Sequence, residues 1–134
     1  VPLYSAEAAA GGGRDLAAEN VVDHFALGKR WIYNVLHTTP NKLALITAVG
    51  DSMEPTIRSG DLVLVDRGIE RIADDAIYVL EYAGQLKVKR VQRDIRGHVV
   101  VRSDNPAYHE ERLDAAEASQ LTVVGRVCMV ARLT

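Results

Sequence analysis

A chain of 134 residues, 48% of them apolar, is long enough to close one hydrophobic core, and its few aromatics leave valine and leucine to carry the burial, which favours strands. A formal net charge of −2 with no basic helix or helix-turn-helix pattern excludes general attraction to a nucleic-acid backbone. The single cysteine, Cys128, excludes an internal disulfide and a cysteine zinc site, and the four histidines, His24, His37, His98 and His109, lack ligand spacing, so neither metal nor cofactor is expected.

Val1 to Tyr4 reads as a short extended stretch, with Pro2 suiting an edge or a strand start. Ser5 to Gly13 carries alanines that begin a helix and three glycines that end it, so a flexible linker is the plain reading. Arg14 to Asp23 is polar and irregular by composition. Val21 to Leu27 is expected as a strand covering a cleft. Trp31, Ile32, Val35 and Leu36 fall at helical spacing, which predicts a short helix from Lys29 ending before Thr38-Thr39-Pro40, with Trp31 as its packing anchor.

Strands are expected over Leu43–Val49, Leu62–Asp66, Ala76–Tyr82, Leu86–Arg93 and His98–Arg102, with a tight turn at Ala83-Gly84-Gln85 making the middle pair a hairpin. Asp104-Asn105-Pro106 is a loop by composition, and Asp114 to Ser119 a helical turn. Leu121 to Leu133 is a long strand kinked near Gly125; bare at an edge it would be hazardous, so it is either paired within the sheet or used for self-association. Cys128, within it, reads as a small buried hydrophobe. The sum is a mostly β fold: a compact, highly bent β-strand domain with one or two short helices.

The chemistry concentrates between the first two of these strands. Gly50-Asp51-Ser52-Met53-Glu54-Pro55-Thr56 sets a serine at a strand exit, at the start of about one helical turn. Free backbone N–H groups there, those of Ser52 with Asp51 or Met53, can receive an oxyanion. A serine needs a base, and Lys87-Val88-Lys89-Arg90-Val91 supplies two candidate amines. Alternation puts Lys87 and Lys89 on one face and leaves open which faces Ser52. No histidine stands in a paired motif beside Asp51, so a serine–histidine mechanism is not expected.

Gly-Asp-Ser-Met-Glu-Pro-Thr followed by Val-Lys-Arg-Val resembles the serine–lysine peptidase domain of LexA-type and lambdoid phage repressors, which cut themselves, and Arg58 to Val63 and Ser103 to Tyr108 are similar to further segments of that family. The resemblance implies a fold of the LexA and signal-peptidase type, Ser52 as nucleophile, and Lys89, directly before an arginine, as general base. It implies a scissile Ala–Gly bond upstream of the domain, here Ala10–Gly11. Residues 1–42 then form the cleavage segment and its covering elements, and 43–134 the catalytic and dimerisation core. It also implies a homodimer, induction by the RecA filament, and DNA binding only through a domain absent from this chain; the start at Val1 fits a fragment of a longer protein.

Such a base has to be neutral. A free lysine at neutral pH is uncharged in only about one molecule in a few thousand, so Lys89 is expected in an apolar pocket with Met53 and the neighbours of Val88. Three other readings fit parts of the pattern: a non-catalytic dimerisation module of a phage-type repressor, a UmuD-like polymerase accessory protein, and a signal peptidase. The last lacks a membrane anchor here, since no apolar run reaches spanning length and no signal peptide opens the chain, which favours a cytoplasmic protein without membrane association.

Overall fold

The computed structural model describes residues 1–5 and 21–134. Within these residues nine strands form one sheet: β1 (Pro2–Tyr4), β2 (Val21–His24), β3 (Leu43–Thr47), β4 (Leu62–Asp66), β5 (Ala76–Tyr82), β6 (Gln85–Arg93), β7 (Val99–Arg102), β8 (Glu111–Leu113) and β9 (Thr122–Ala131). Their spatial order is β2-β1-β3-β4-β9-β5-β6-β7-β8, antiparallel except where β1 meets β3. A short helix, α1 (Lys29–Trp31), runs on into a π-helical turn over Ile32–Leu36, and α2 (Ala115–Ala118) precedes β9. The chain is therefore mostly β with few short helices, as its composition and strand spacing predict.

β3 and β4 read as unbroken apolar runs because both of their faces are covered. Leu43, Leu45 and Leu64 pack with Ile32 on one side, while Ala44, Ile46, Val63 and Val65 pack with Met53 and Ile57 on the other. The two-residue period of a strand sorts neighbours into these clusters, one beneath the π-helical turn and one beneath the turn that carries Ser52. A third cluster, Tyr78, Leu80, Val91 and Val99, fills the far end of the sheet.

β9 is paired on both sides, between β4 and β5, so of the two expected uses the pairing is the one observed. It bulges twice, where Val65 and Leu64 face Val127 and Met129, and where Val79 and Leu80 face Gly125 and Val123. Each bulge adds a residue and bends the strand, and the second falls at the expected kink. Gly125 fits there because a Cβ would sit 2.4 Å from the Asp66 carbonyl oxygen.

Other expectations need correction. Trp31 is 39% exposed and does not anchor the helix; its neighbour Ile32, at 1%, does, because the helical segment presents that side to β3 and β4. The strand expected over Val21–Leu27 stops at His24 and lies at the sheet's end beside β1, where none of its residues lines either cleft described below. Cys128 is half-buried rather than buried; its Sγ donates to the Leu64 carbonyl at 3.5 Å, and burial pushes its thiol up to about 11. Ala10–Gly11 and most of Arg14–Asp23 lie outside the described residues.

Candidate functional site

The serine turn is an excursion closed at its base. Ala48 N–H donates to the Asp61 carbonyl and Gly60 N–H to the Ala48 carbonyl, both at 2.8 Å. Gly50, with φ +88°, turns the chain out of the strand direction in a conformation that disfavours a Cβ. Met53 and Ile57, at 4% and 3% exposed, then drop into the core cluster of Ala48, Val63, Val79 and Leu86. Burying each is worth about 1.5–3 kcal/mol, enough to fix the backbone of the residue just before Met53, which is Ser52.

This stretch is not the helical turn expected from its sequence. It is a run of tight turns, with Glu54 N–H on the Asp51 carbonyl at 3.1 Å and Ile57 N–H on the Met53 carbonyl at 2.9 Å. A helix beginning at Ser52 would have Thr56 N–H on the Ser52 carbonyl, and that carbonyl instead takes the Asn105 N–H at 3.0 Å. Asn105 Nδ2 also donates to the Asp51 carbonyl, at 3.0 Å. Ser52 caps nothing: its hydroxyl is bonded to no described residue. Among the described residues the N–H groups of Asp51, Ser52 and Met53 likewise donate no hydrogen bond.

β6 brings in the lysines. Both line the same clefts, which is what alternation on one face predicts. Lys87 is exposed; Lys89 is half-buried, paired in register with the buried Tyr78 of β5. The Lys89 Nζ donates to Ser103 Oγ at 2.8 Å and stands 5.7 Å from the centre of the Tyr108 ring. No described carboxylate forms an ion pair with it. Burial holds its pKa below the ordinary lysine range, the Lys87 charge adds to this, and Glu111 opposes it.

Ser52 and Lys89 line one cleft of about 310 Å³, whose apolar wall includes Ile46, Ala48, Met53, Leu86 and Val88. No hydrogen bond joins them; the amine is directed to Ser103. A wider cleft, about 570 Å³, shares Lys87, Lys89 and Tyr108 with the first as lining residues.

The loop from Ser103 to Tyr108 joins these parts. Asp104 takes two hydrogen bonds from Arg90, at 2.8 and 2.9 Å, and one from Thr56 Oγ1 at 2.5 Å. The Arg90 guanidinium holds the Asp104 carboxyl below the usual carboxylate range. Asn105 N–H donates to the Ser52 carbonyl at 3.0 Å, and the Tyr108 hydroxyl donates to the Asp51 carboxylate, which raises the Tyr108 pKa. Sequence reasoning identifies this stretch as a loop but not its targets. Asp and Asn before Pro signal a turn; nothing local in them reveals that their partners lie from 14 to 54 residues upstream.

Among the described residues no group of three or more His, Cys, Asp or Glu is placed to hold a metal ion, and no helix is long and apolar enough to cross a membrane.

A family model described as Peptidase S24-like matches residues 2–128. The chain is similar to the 26 kDa repressor protein of Escherichia phage HK022, 40% identical over 62% of this chain and 35% of the phage protein. It is similar to the repressor protein CI of Enterobacteria phage phi80, 37% identical over 52% of this chain and 30% of that one. It is also similar to the HTH-type transcriptional regulator PrtR of Pseudomonas aeruginosa, 33% identical over 95% of this chain and 51% of that protein. The chain thus spans between about a third and a half of the length of these curated relatives.

Proposed function

The chain belongs to the Peptidase S24-like family, and on that premise we propose that it is the C-terminal self-cleavage and dimerisation domain of a phage-repressor-like transcriptional regulator, cutting its own Ala10–Gly11 bond with Ser52 and Lys89. Residues 1–42 supply the cleavage segment and its covering elements, and 43–134 the catalytic and dimerisation core. DNA is bound through a domain outside this chain, the working unit is a homodimer, and the RecA filament is the co-inducer.

One observation carries the reading: of the two lysines that line the serine's cleft, the half-buried one, Lys89, has a neutral hydroxyl, not a carboxylate, as its hydrogen-bond partner. Lowered by burial, the amine loses its proton more readily and takes one from Ser52 Oγ as that oxygen attacks the Ala10 carbonyl carbon. The oxyanion settles on the N–H of Ser52 together with that of Asp51 or Met53, groups with no other commitment among the described residues. The Lys89 ammonium then protonates the departing Gly11 amine, and a water activated by the same amine releases the acyl group from Ser52. Cleavage within one chain needs little intrinsic activity, because the effective concentration of the bond is high.

Mass measurement after alkaline incubation tests this. The parent chain gives a new pair of fragments split between Ala10 and Gly11, and Ser52→Ala stays whole. Equal behaviour of the two removes the catalytic reading. A second reading, a dimerisation module without activity, is favoured by the Lys89 amine being bonded to Ser103 instead of Ser52; a chain that stays whole at high pH yet remains dimeric supports it.

A further inference from the structure

We propose that Ser103 is a positioning residue for the proposed reaction, holding the Lys89 amine so that its lone pair remains available to the Ser52 hydroxyl. The inference rests on the reading of Lys89 as general base and assigns a role to a residue outside the serine and lysine motifs.

A neutral primary amine has two N–H donors and one lone pair, and a general base works only when the lone pair faces the proton it takes. Left free, the amine rotates about its last bond and spreads the lone pair over several directions. Ser103 Oγ at 2.8 Å accepts one N–H and fixes that rotation. The Tyr108 ring, 5.7 Å away, stands on a further side of the amine and narrows the choice again. The ammonium formed after proton transfer keeps the same N–H on Ser103, so no proton passes through the serine and the contact survives the step.

Ser103 is itself held. Its neighbour Asp104 is fastened at two points to Arg90, the residue after Lys89, and the next residue, Asn105, donates to the Ser52 carbonyl. Three consecutive loop residues therefore reach the amine, its strand and the serine turn. The distance between nucleophile and base is controlled through this loop.

The choice of a hydroxyl has a consequence. A carboxylate at residue 103 would hold the amine equally well but would stabilise its charged form, as an opposite charge in contact does. Two charges act on Lys89, Lys87 on its own strand and Glu111 on β8; Asp51 faces the Tyr108 hydroxyl, and His109 and Glu117 line the second cleft together with Lys89. None forms an ion pair with the amine, so the partner at 103 has the most direct hold on it.

The experiment compares the full chain with Ser103→Ala, Ser103→Thr and Ser103→Asp. Self-cleavage at Ala10–Gly11 is followed by mass across pH, and the Lys89 side-chain carbon next to Nζ is titrated by NMR in a Ser52→Ala background, which needs no cleavage. Ser103→Ala is expected to cleave at least about tenfold more slowly at every pH, the effect of loosening a reacting group, with Ser103→Thr restoring the rate. Ser103→Asp is expected to move the Lys89 titration upward, and each unit of that move lowers cleavage at neutral pH about tenfold. Cleavage by Ser103→Ala at the parent's rate overturns the proposal, as does a Lys89 titration that is the same with serine or aspartate at 103. A parent chain that never cleaves overturns the dyad reading instead, and the titration still decides whether Ser103 holds the amine.

Discussion

Arg90 and Asp104 meet at two points, at 2.8 and 2.9 Å, one residue along from Lys89 and Ser103 on the same two segments. The two contacts run side by side, and the ion pair is the stronger, being charged and bidentate. It fastens the loop that also grips the Ser52 and Asp51 carbonyls, so the loop's position at the site depends on it.

Breaking this pair should reduce both stability and self-cleavage. Asp104→Ala loses hydrogen bonds from Arg90 and Thr56 and should cost about 2 kcal/mol in urea unfolding. Arg90→Ala should cost more. The Arg90 side chain is 34% exposed and can rehydrate when abandoned, whereas that of Asp104 is 13% exposed and would be left as a poorly solvated anion. Equal stability of both variants and the parent would show that the loop holds its place without the pair.

Asp61 should make the fold acid-sensitive. It is 2% exposed, receives two hydrogen bonds from Arg132 at 2.8 and 2.7 Å and one from Arg58 N–H at 2.8 Å, and so ties the base of the serine turn to the end of the chain. The Arg132 guanidinium holds its carboxyl below the usual range. A depressed carboxyl contributes stability that is full above its unfolded pKa of about 3.9 and is lost as pH falls through the folded value. Asp61→Asn should therefore melt well below the parent at pH 7, and the gap should narrow as pH drops below about 4. A gap that is constant across this range would mean that the charge on Asp61 is not what stabilises the fold.

The strands were legible because their apolar runs are bounded by turn residues, and the lysine face because β6 alternates. β1 pairing with β3 was not legible: three residues, Pro2 to Tyr4, carry no pattern, and their burial comes from a strand forty residues away. β8 is not legible for a similar reason, since Glu111 and Arg112 are exposed and polar at the sheet's end and resemble a loop. Trp31 is not the anchor its spacing suggests, because helical spacing identifies an apolar stripe without saying which of two adjacent members is innermost. The serine and lysine were legible as motifs. The loop partners Ser103 and Tyr108 were not legible as contacts, because a contact between segments that distant leaves no local periodicity.

Gly125→Ala should destabilise the fold by about 1–3 kcal/mol, the usual range for forced overpacking. The added Cβ would meet the Asp66 carbonyl oxygen at 2.4 Å and Val65 Cγ1 at 2.6 Å. The oxygen is backbone in a central strand, so relief requires moving β4 against β9 and loosening the cluster beneath Ser52. Urea unfolding checks this. A variant as stable as the parent would mean that the bulge in β9 yields freely.

Lys89→Met should raise stability at neutral pH while removing self-cleavage. Because the folded pKa of Lys89 lies below its unfolded value of about 10.4, the fold disfavours the ammonium. That penalty is fully present below the folded pKa and fades as pH rises from the folded to the unfolded value. Methionine removes it and keeps the apolar stem against the cleft wall of Met53, Leu86 and Val88. The variant should melt above the parent at pH 7, and the two should converge as pH approaches the unfolded lysine value. Its self-cleavage should fall at least about a thousandfold, as expected when a member of a catalytic pair is lost. The two readouts separate the causes. A variant that melts below the parent at pH 7 would mean that the hydrogen bond to Ser103 outweighs the desolvation of the amine, and a variant that still cuts Ala10–Gly11 would mean that another group supplies the base.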